Sequence, residues 1–196
     1  RLEGGTPEQA AELVQYANVE KDYNIEYWYI GNEPNLFDDY DSQRFSAEWR
    51  EFALAMRAVD PTIKLIGPEV SQFPDRESDD PNMAMRDDWL RTFLEVNGDL
   101  VDIVSVHRYP FPLSFAGDPT SIAQMRENVP RWHTVVSNLR SMIQETLGKD
   151  MPIAITEVNS HWSNSAGSIA SPDSYYNAIW WSGVLTTLIH EDVDIV

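Results

Sequence analysis

The sequence predicts an α/β protein built on a parallel sheet. Three observations carry this. Short apolar runs recur with little alternation, as strands buried on both faces do. The longer stretches between them place apolar residues at helical spacing. Glycine, proline or a polar residue punctuates most of the boundaries.

The elements follow in order. Thr6-Pro7-Glu8 opens a helix running towards Asn18, with Thr6 as N-cap and Pro7 at the first helical position. Glu26-Tyr27-Trp28-Tyr29-Ile30 is aromatic and β-branched and reads as a strand, with Gly31 behind it. Phe45, Trp49, Phe52, Ala53 and Met56 form a helical stripe that Asp60-Pro61 ends. Lys64-Leu65-Ile66 is a strand stopped by Gly67-Pro68. Trp89, Leu90, Phe93 and Leu94 form the next stripe. Asp102-Ile103-Val104-Ser105-Val106 is a strand ending at His107. Trp132, Val135, Val136, Leu139, Met142 and Ile143 form a stripe closed by Gly148. Pro152-Ile153-Ala154-Ile155-Thr156 is a strand ending at Glu157. Tyr176, Ile179, Trp180, Val184, Leu188 and Ile189 make the last helix, and Asp192-Val193-Asp194-Ile195-Val196 the last strand.

This alternation implies right-handed βαβ units. At the observed pace, eight units would need roughly 330 residues, and closed barrels typically need about 250. A chain of 196 residues has room for about five strands at that pace. The loops 71–85 and 110–121 are rich in Pro, Asp and Ser and follow strand ends, where α/β proteins place function. One domain covering residues 1–196 is expected, with no linker and no internal repeat.

Composition excludes several functions. The 32 acidic residues against 14 Lys+Arg give a net charge of −18. That charge repels phosphate backbones and anionic membranes, so neither nucleic acid nor membrane is expected as a partner. No apolar run approaches the ~18 residues of a membrane span. The absence of cysteine removes disulfides, thiolate metal sites and Cys nucleophiles. The first residues do not form a signal peptide. The charge points to a soluble protein and is compatible with a secreted one.

Two glutamates stand at strand ends, on the face where such folds gather active sites. Glu33 lies in Gly31-Asn32-Glu33-Pro34-Asn35 and Glu157 in Ile155-Thr156-Glu157-Val158-Asn159, three βα units on. Two facing carboxylates can cleave a glycosidic bond, one as proton donor and one as nucleophile, when they stand about 5–5.5 Å apart. Asn32 beside the first is suited to bonding a sugar hydroxyl. His107 and Tyr109, at the end of the preceding strand, can orient the nucleophile and tune its charge. Trp162 can stack on a sugar face, or anchor its loop. Each also has a plain structural reading: a solvated carboxylate, a turn Asn, a core His. Glu69, in Gly67-Pro68-Glu69, is read as structural or as part of the rim. His133, His161 and His190 lack metal-ligand spacing, and Asp38-Asp39 and Asp79-Asp80 lack the pattern of a calcium loop. No metal and no cofactor are expected.

Residues 27–36, Tyr-Trp-Tyr-Ile-Gly-Asn-Glu-Pro-Asn-Leu, resemble the acid/base segment of clan A glycoside hydrolases, which are retaining enzymes on (β/α)8 barrels. The resemblance implies a partial, truncated TIM-type (β/α)8 barrel. It implies that Glu33 is the acid/base on the fourth strand of the barrel and Glu157 the nucleophile on the seventh. Asn32 matches the partner of the acid, and His107 and Tyr109 match positions at the end of strand six. Asn-Glu-Pro-Asn-Leu is similar to β-xylosidases and iduronidases, and Ile-Gly-Asn-Glu to α-L-arabinofuranosidases and the β-glucuronidase and heparanase group. Cellulases share the skeleton. The expected substrate is a plant cell-wall chain containing xylose, arabinose or glucose. For the mechanism, Glu33 should have a raised pKa and Glu157 should stay ionised. On this alignment strands one to three are missing, which leaves open edges. A homo-oligomer pairing through those edges, or a partner chain supplying the strands, is the expectation. The alternative function is a barrel remnant that binds carbohydrate without cleaving it.

Overall fold

The computed structural model describes residues 2, 4–74, 81–111, 120–162 and 168–196, and of 81–87 the backbone only. Four strands form one parallel sheet in the order β1 (Tyr27–Tyr29), β2 (Lys64–Val70), β3 (Ile103–Arg108) and β4 (Ile153–Val158). Helices precede, separate and follow them: α1 (Pro7–Val14), α2 (Ser42–Val59), α3 (Pro81–Asn97), α4 (Ile122–Asn128), α5 (Arg131–Leu147) and α6 (Tyr175–His190). The result is a curled half-barrel with its helices on one side.

The expected N-terminal cap is present. Thr6 accepts from the Gln9 amide, and the Gln9 side chain accepts in turn from the Thr6 amide. This capping box satisfies two otherwise orphan donors. Beyond Val14 the helix widens into a π-helical turn, Gln15–Glu20. Gly148 closes α5 in the left-handed region, at φ 65°. Two elements away from the cleft depart from expectation. Helix α4 lies in a stretch with no assignment, although Ser121 and Gln124 form a second capping box there. The expected fifth strand over 192–196 is reduced to a single parallel bridge between Ala154 and Ile195. The Asp194 carboxylate takes the Ile153 amide that a longer ladder would have used.

Alternation along the strands sorts side chains into two layers. Leu65, Val104, Val106, Ile153 and Ile155 face the helices and join Trp49, Phe93, Trp132 and Trp180 in the main core. Burying side chains of this size contributes about 1.5–3 kcal/mol each. Asn128 ties the α4–α5–α6 corner: its Oδ1 accepts from the indoles of both Trp132 (3.2 Å) and Trp180 (2.9 Å). Gly67 is the point of closest approach between sheet and helices. A Cβ there would sit 2.9 Å from Phe93 and 3.0 Å from the Trp49 indole. The opposite, concave layer is small: Ile66, Ile103 and Ala154, with Ile195 packed on them. Further along the same faces come Ser105 and His107 on β3 and Thr156 on β4. The concave face therefore turns polar towards the C-terminal ends of the strands.

Candidate active site

β2 does not stop at Gly67-Pro68, as expected, but runs on to Val70. The Gly67–Pro68 peptide is cis. The register against β3 shifts between Pro68 and Val70, which leaves Glu69 as the extra residue of a bulge. Bulges re-aim side chains. Glu69 adopts φ 61° and its carboxylate turns inward, to 2% exposure. Of the two readings of Glu69, structural or rim, the burial agrees with the structural one: it forms part of the floor.

Glu33 follows β1, also in the left-handed region (φ 44°). Its amide donates to the Glu69 carbonyl over 2.9 Å, which ties the turn after β1 to the end of β2. Asn35 anchors the same turn with a reciprocal pair: its Oδ1 accepts from the Ser71 amide (2.8 Å) and its Nδ2 donates to the Ser71 carbonyl (3.1 Å). On β4, Glu157 pairs in register with His107 of β3. Its side chain is 38% exposed against 20% for Glu33.

His107 sits between them, 1% exposed. Its Nδ1 lies 3.1 Å from Glu33 Oε1 and 3.6 Å from Glu157 Oε2, and its Nε2 lies 2.7 Å from Glu69 Oε2. Thr156 donates to the same Glu69 oxygen over 2.7 Å. The Tyr109 hydroxyl donates to Glu157 Oε2 over 2.8 Å. Burial works against a charged imidazole, but the hydrogen bonds and charges of Glu33, Glu69 and Glu157 outweigh it and lift His107 to about 9. Burial, then the bond and charge of Glu157, push the Tyr109 phenol up.

For Glu33 burial is the largest influence and acts upward. The hydrogen bonds from His107 and Ser71, with the imidazolium charge, together exceed it, so the carboxyl is held below its ordinary range. The expected raised pKa of Glu33 is therefore not what this arrangement produces. The cause is the cation that Glu33 shares with its neighbours.

Above these groups lies a cleft of about 510 Å³. Glu33, Tyr109, Glu157 and the exposed Trp162 line it. Leu36, Ser71 and Gln72 line it too. Asn32 is exposed and does not contribute to the lining. The sequence signal for Ser71 and Gln72 was their place behind a strand end, as for Glu33. The remainder of the two polar loops, 75–80 and 112–119, lies outside the described residues, and so does Asp79-Asp80.

One set of side chains among the described residues has metal-like spacing: Glu33, His107 and Glu157 bring one ligand atom each within 4.8 Å of one another. The chemistry of the set disfavours a cation. Both ring nitrogens of His107 already face carboxylate oxygens, and a protonated imidazole cannot ligate. The remaining histidines lie elsewhere: His133 pairs with Glu191, and His161 packs on Phe111.

A parallel β/α half-barrel with its polar groups gathered at the C-terminal strand ends matches part of a (β/α)8 barrel and the face where such barrels carry their active sites. The chain belongs to glycosyl hydrolases family 39, which matches residues 14–195. No curated protein matches it. Among solved structures, a family 44 endoglucanase from Clostridium thermocellum is similar at 18% identity and TM-score 0.67, covering 94% of this chain and 45% of that one. A monomeric β-xylosidase from Caulobacter crescentus CB15 is similar at 18% identity and TM-score 0.65, covering 93% and 36%. A family 51 α-L-arabinofuranosidase from Bifidobacterium longum is similar at 17% identity and TM-score 0.65, covering 96% and 43%. At such identities the likeness is one of fold. The chain spans less than half the length of each of these structures. No described helix is long and apolar enough to cross a membrane.

Proposed function

We propose that Glu33 and Glu157 are the acid/base and the nucleophile of a retaining O-glycosidase, and that residues 1–196 carry them as one catalytic unit. The observation that carries this reading is their closeness: one oxygen of each lies within 4.8 Å of the other. Retaining enzymes hold the pair about 5–5.5 Å apart, and inverting ones leave about 6.5–9.5 Å for a water. In the first step Glu157 attacks the anomeric carbon while Glu33 gives its proton to the departing oxygen. In the second, Glu33 takes a proton from water, which displaces Glu157 from the sugar. Tyr109 keeps Glu157 oriented, and Trp162 offers a ring for the sugar face. The first step needs Glu33 protonated, and a sugar filling the cleft adds to the burial that already acts upward on its carboxyl.

The substrate class we infer is plant cell-wall oligo- or polysaccharide. Supporting it are the family and the endoglucanase, β-xylosidase and arabinofuranosidase among the structural relatives. The acidic surface suits a neutral sugar chain rather than a polyanion. A second reading, a module that binds carbohydrate without cleaving it, is favoured by the ionised state of Glu33 in the open cleft. Association of copies through the β1 edge, where Tyr27 and Tyr29 are exposed, belongs to the same proposal. A single monomeric species in sedimentation would remove that part.

Hydrolysis of a panel of chromogenic xylosides, arabinofuranosides, glucosides and cellobiosides tests the main reading. Turnover of one substrate that disappears in Glu157→Ala supports the enzyme. Binding of the matching oligosaccharide with no turnover leaves the binding module.

A further inference from the structure

We propose that Glu69 is a positioning residue that holds His107 as a doubly protonated imidazolium, with its Nδ1–H aimed at Glu33 and Glu157. The effect on turnover rests on the two-glutamate reading above, whereas the state of the ring rests on geometry alone.

The geometry is one of surroundings. Every strand packed against the imidazole presents it with a carboxylate or with nothing charged. Glu33 comes from the end of β1, Glu69 from β2 and Glu157 from β4. On β3 itself, Tyr109 turns to Glu157 and Arg108 turns to the Phe73 carbonyl. A neutral imidazole has one donor nitrogen and one acceptor nitrogen. Here both nitrogens face carboxylate oxygens, at 2.7 Å on the Nε2 side and at 3.1 and 3.6 Å on the Nδ1 side. An imidazole held between oxygens that accept on both sides donates from both nitrogens, which is the imidazolium form.

Glu69 is the member of this set that does not reach the cleft. Its amide donates to Ser105 Oγ, and its Oε2 takes bonds from both Thr156 and His107. Its Oε1 finds no hydrogen-bond partner among the described residues. A carboxylate buried to this degree is tolerated when a cation accompanies it. His107 is the cation in contact, so each group holds the other in its charged form. The anchor also fixes the ring plane: with Nε2 tied to Glu69, Nδ1 can point only at the catalytic pair. A cation there restrains the mutual repulsion of Glu33 and Glu157 without occupying the cleft.

The test uses the whole chain with 15N-labelled histidine and follows both ring nitrogens of His107 across pH by NMR. In the unaltered protein both nitrogens should be protonated at neutral pH. In Glu69→Gln, which keeps shape and removes charge, the His107 midpoint should fall by at least about one pH unit, a tenfold change in proton affinity. The alkaline limb of kcat should move down with it, while KM changes by less than about twofold. A thermal melt checks that the variant folds, and if it does not, the spectrum of the unaltered protein still decides. One unprotonated ring nitrogen at neutral pH, or an unmoved midpoint in Glu69→Gln, overturns the proposal. If His107 titrates as stated and no glycoside is hydrolysed, the positioning stands and the glycosidase reading falls.

Discussion

The Tyr109 hydroxyl donates to Glu157 Oε2 over 2.8 Å, from one strand end to the next. The bond leaves Glu157 directed towards the cleft rather than turning freely in solvent. Hydrogen bonds to charged groups contribute about 1.5–3 kcal/mol. Tyr109→Phe should therefore lower kcat by about 10- to 100-fold, with little change in KM. Steady-state kinetics on an active substrate checks this, and an unchanged kcat would show that Glu157 is oriented by other contacts.

With Glu33 in the proposed acid role, Glu33→Gln keeps the shape of the side chain and removes its proton transfer. General acid–base catalysis contributes about 10²–10⁴-fold. The loss should be largest for substrates with poorly stabilised leaving groups and smallest for nitrophenyl ones, whose departure needs little protonation. Equal losses across a leaving-group series would remove Glu33 from the acid role.

Trp162 is exposed on the cleft rim. A sugar stacked on it is held equally before and during reaction, so Trp162→Ala should raise KM and leave kcat within about twofold. A fall in kcat at unchanged KM would show instead that the indole supports the loop carrying it.

His107 links the site to folding. Its pKa rises from 6.5 to about 9 on folding, so the folded state binds the proton more tightly. The resulting stability is fully present below 6.5 and is lost as pH rises through about 9. Glu33 acts in the opposite sense: its pKa is depressed, and its contribution is lost as pH falls through its folded value. Thermal melts should decline between neutral and mildly alkaline pH. The decline should flatten in His107→Gln, and a decline of the same size in that variant would locate its source elsewhere.

Asn128 serves two indoles with one oxygen. Asn128→Leu should leave both buried N–H groups without an acceptor, at about 1–3 kcal/mol each. Denaturant unfolding should show the loss with no change of fold, and a loss below about 1 kcal/mol would mean that the two indoles find other acceptors.

Much of this arrangement was legible in the residues. Strands buried on both faces of a parallel sheet are near-continuous apolar runs, so 26–30, 102–106 and 152–156 stand out, and with them Glu33, His107 and Glu157 at or just beyond their ends. Glu69 was not legible as a floor group. Gly67-Pro68 reads as a stop, and nothing local reveals that a bulge carries the strand past it and turns the next side chain inward. Helix α4 was legible in principle, through Ser121 and Gln124, but its short apolar stripe is weak. The last strand failed for a tertiary reason: Asp194 bonds the backbone of β4 through its side chain. The depressed pKa of Glu33 depends on two neighbours, His107 and Ser71, brought together from separate parts of the chain, which spacing alone does not express.

Glu33, Glu69 and Gln72 share left-handed backbone angles without being glycine, and each such residue costs about 1–3 kcal/mol unless its surroundings compel it. All three stand at the cleft or directly beneath it. The substitutions that would relax the backbone at 33 and 69, to glycine or asparagine, are thus the ones that would erase the carboxylates. Selection for folding alone would set the relief of that backbone against the bonds these carboxylates make to His107. A Glu33→Gly variant sets the two against each other: a higher melt together with slower hydrolysis would show that relief of the backbone outweighs the lost contact with His107.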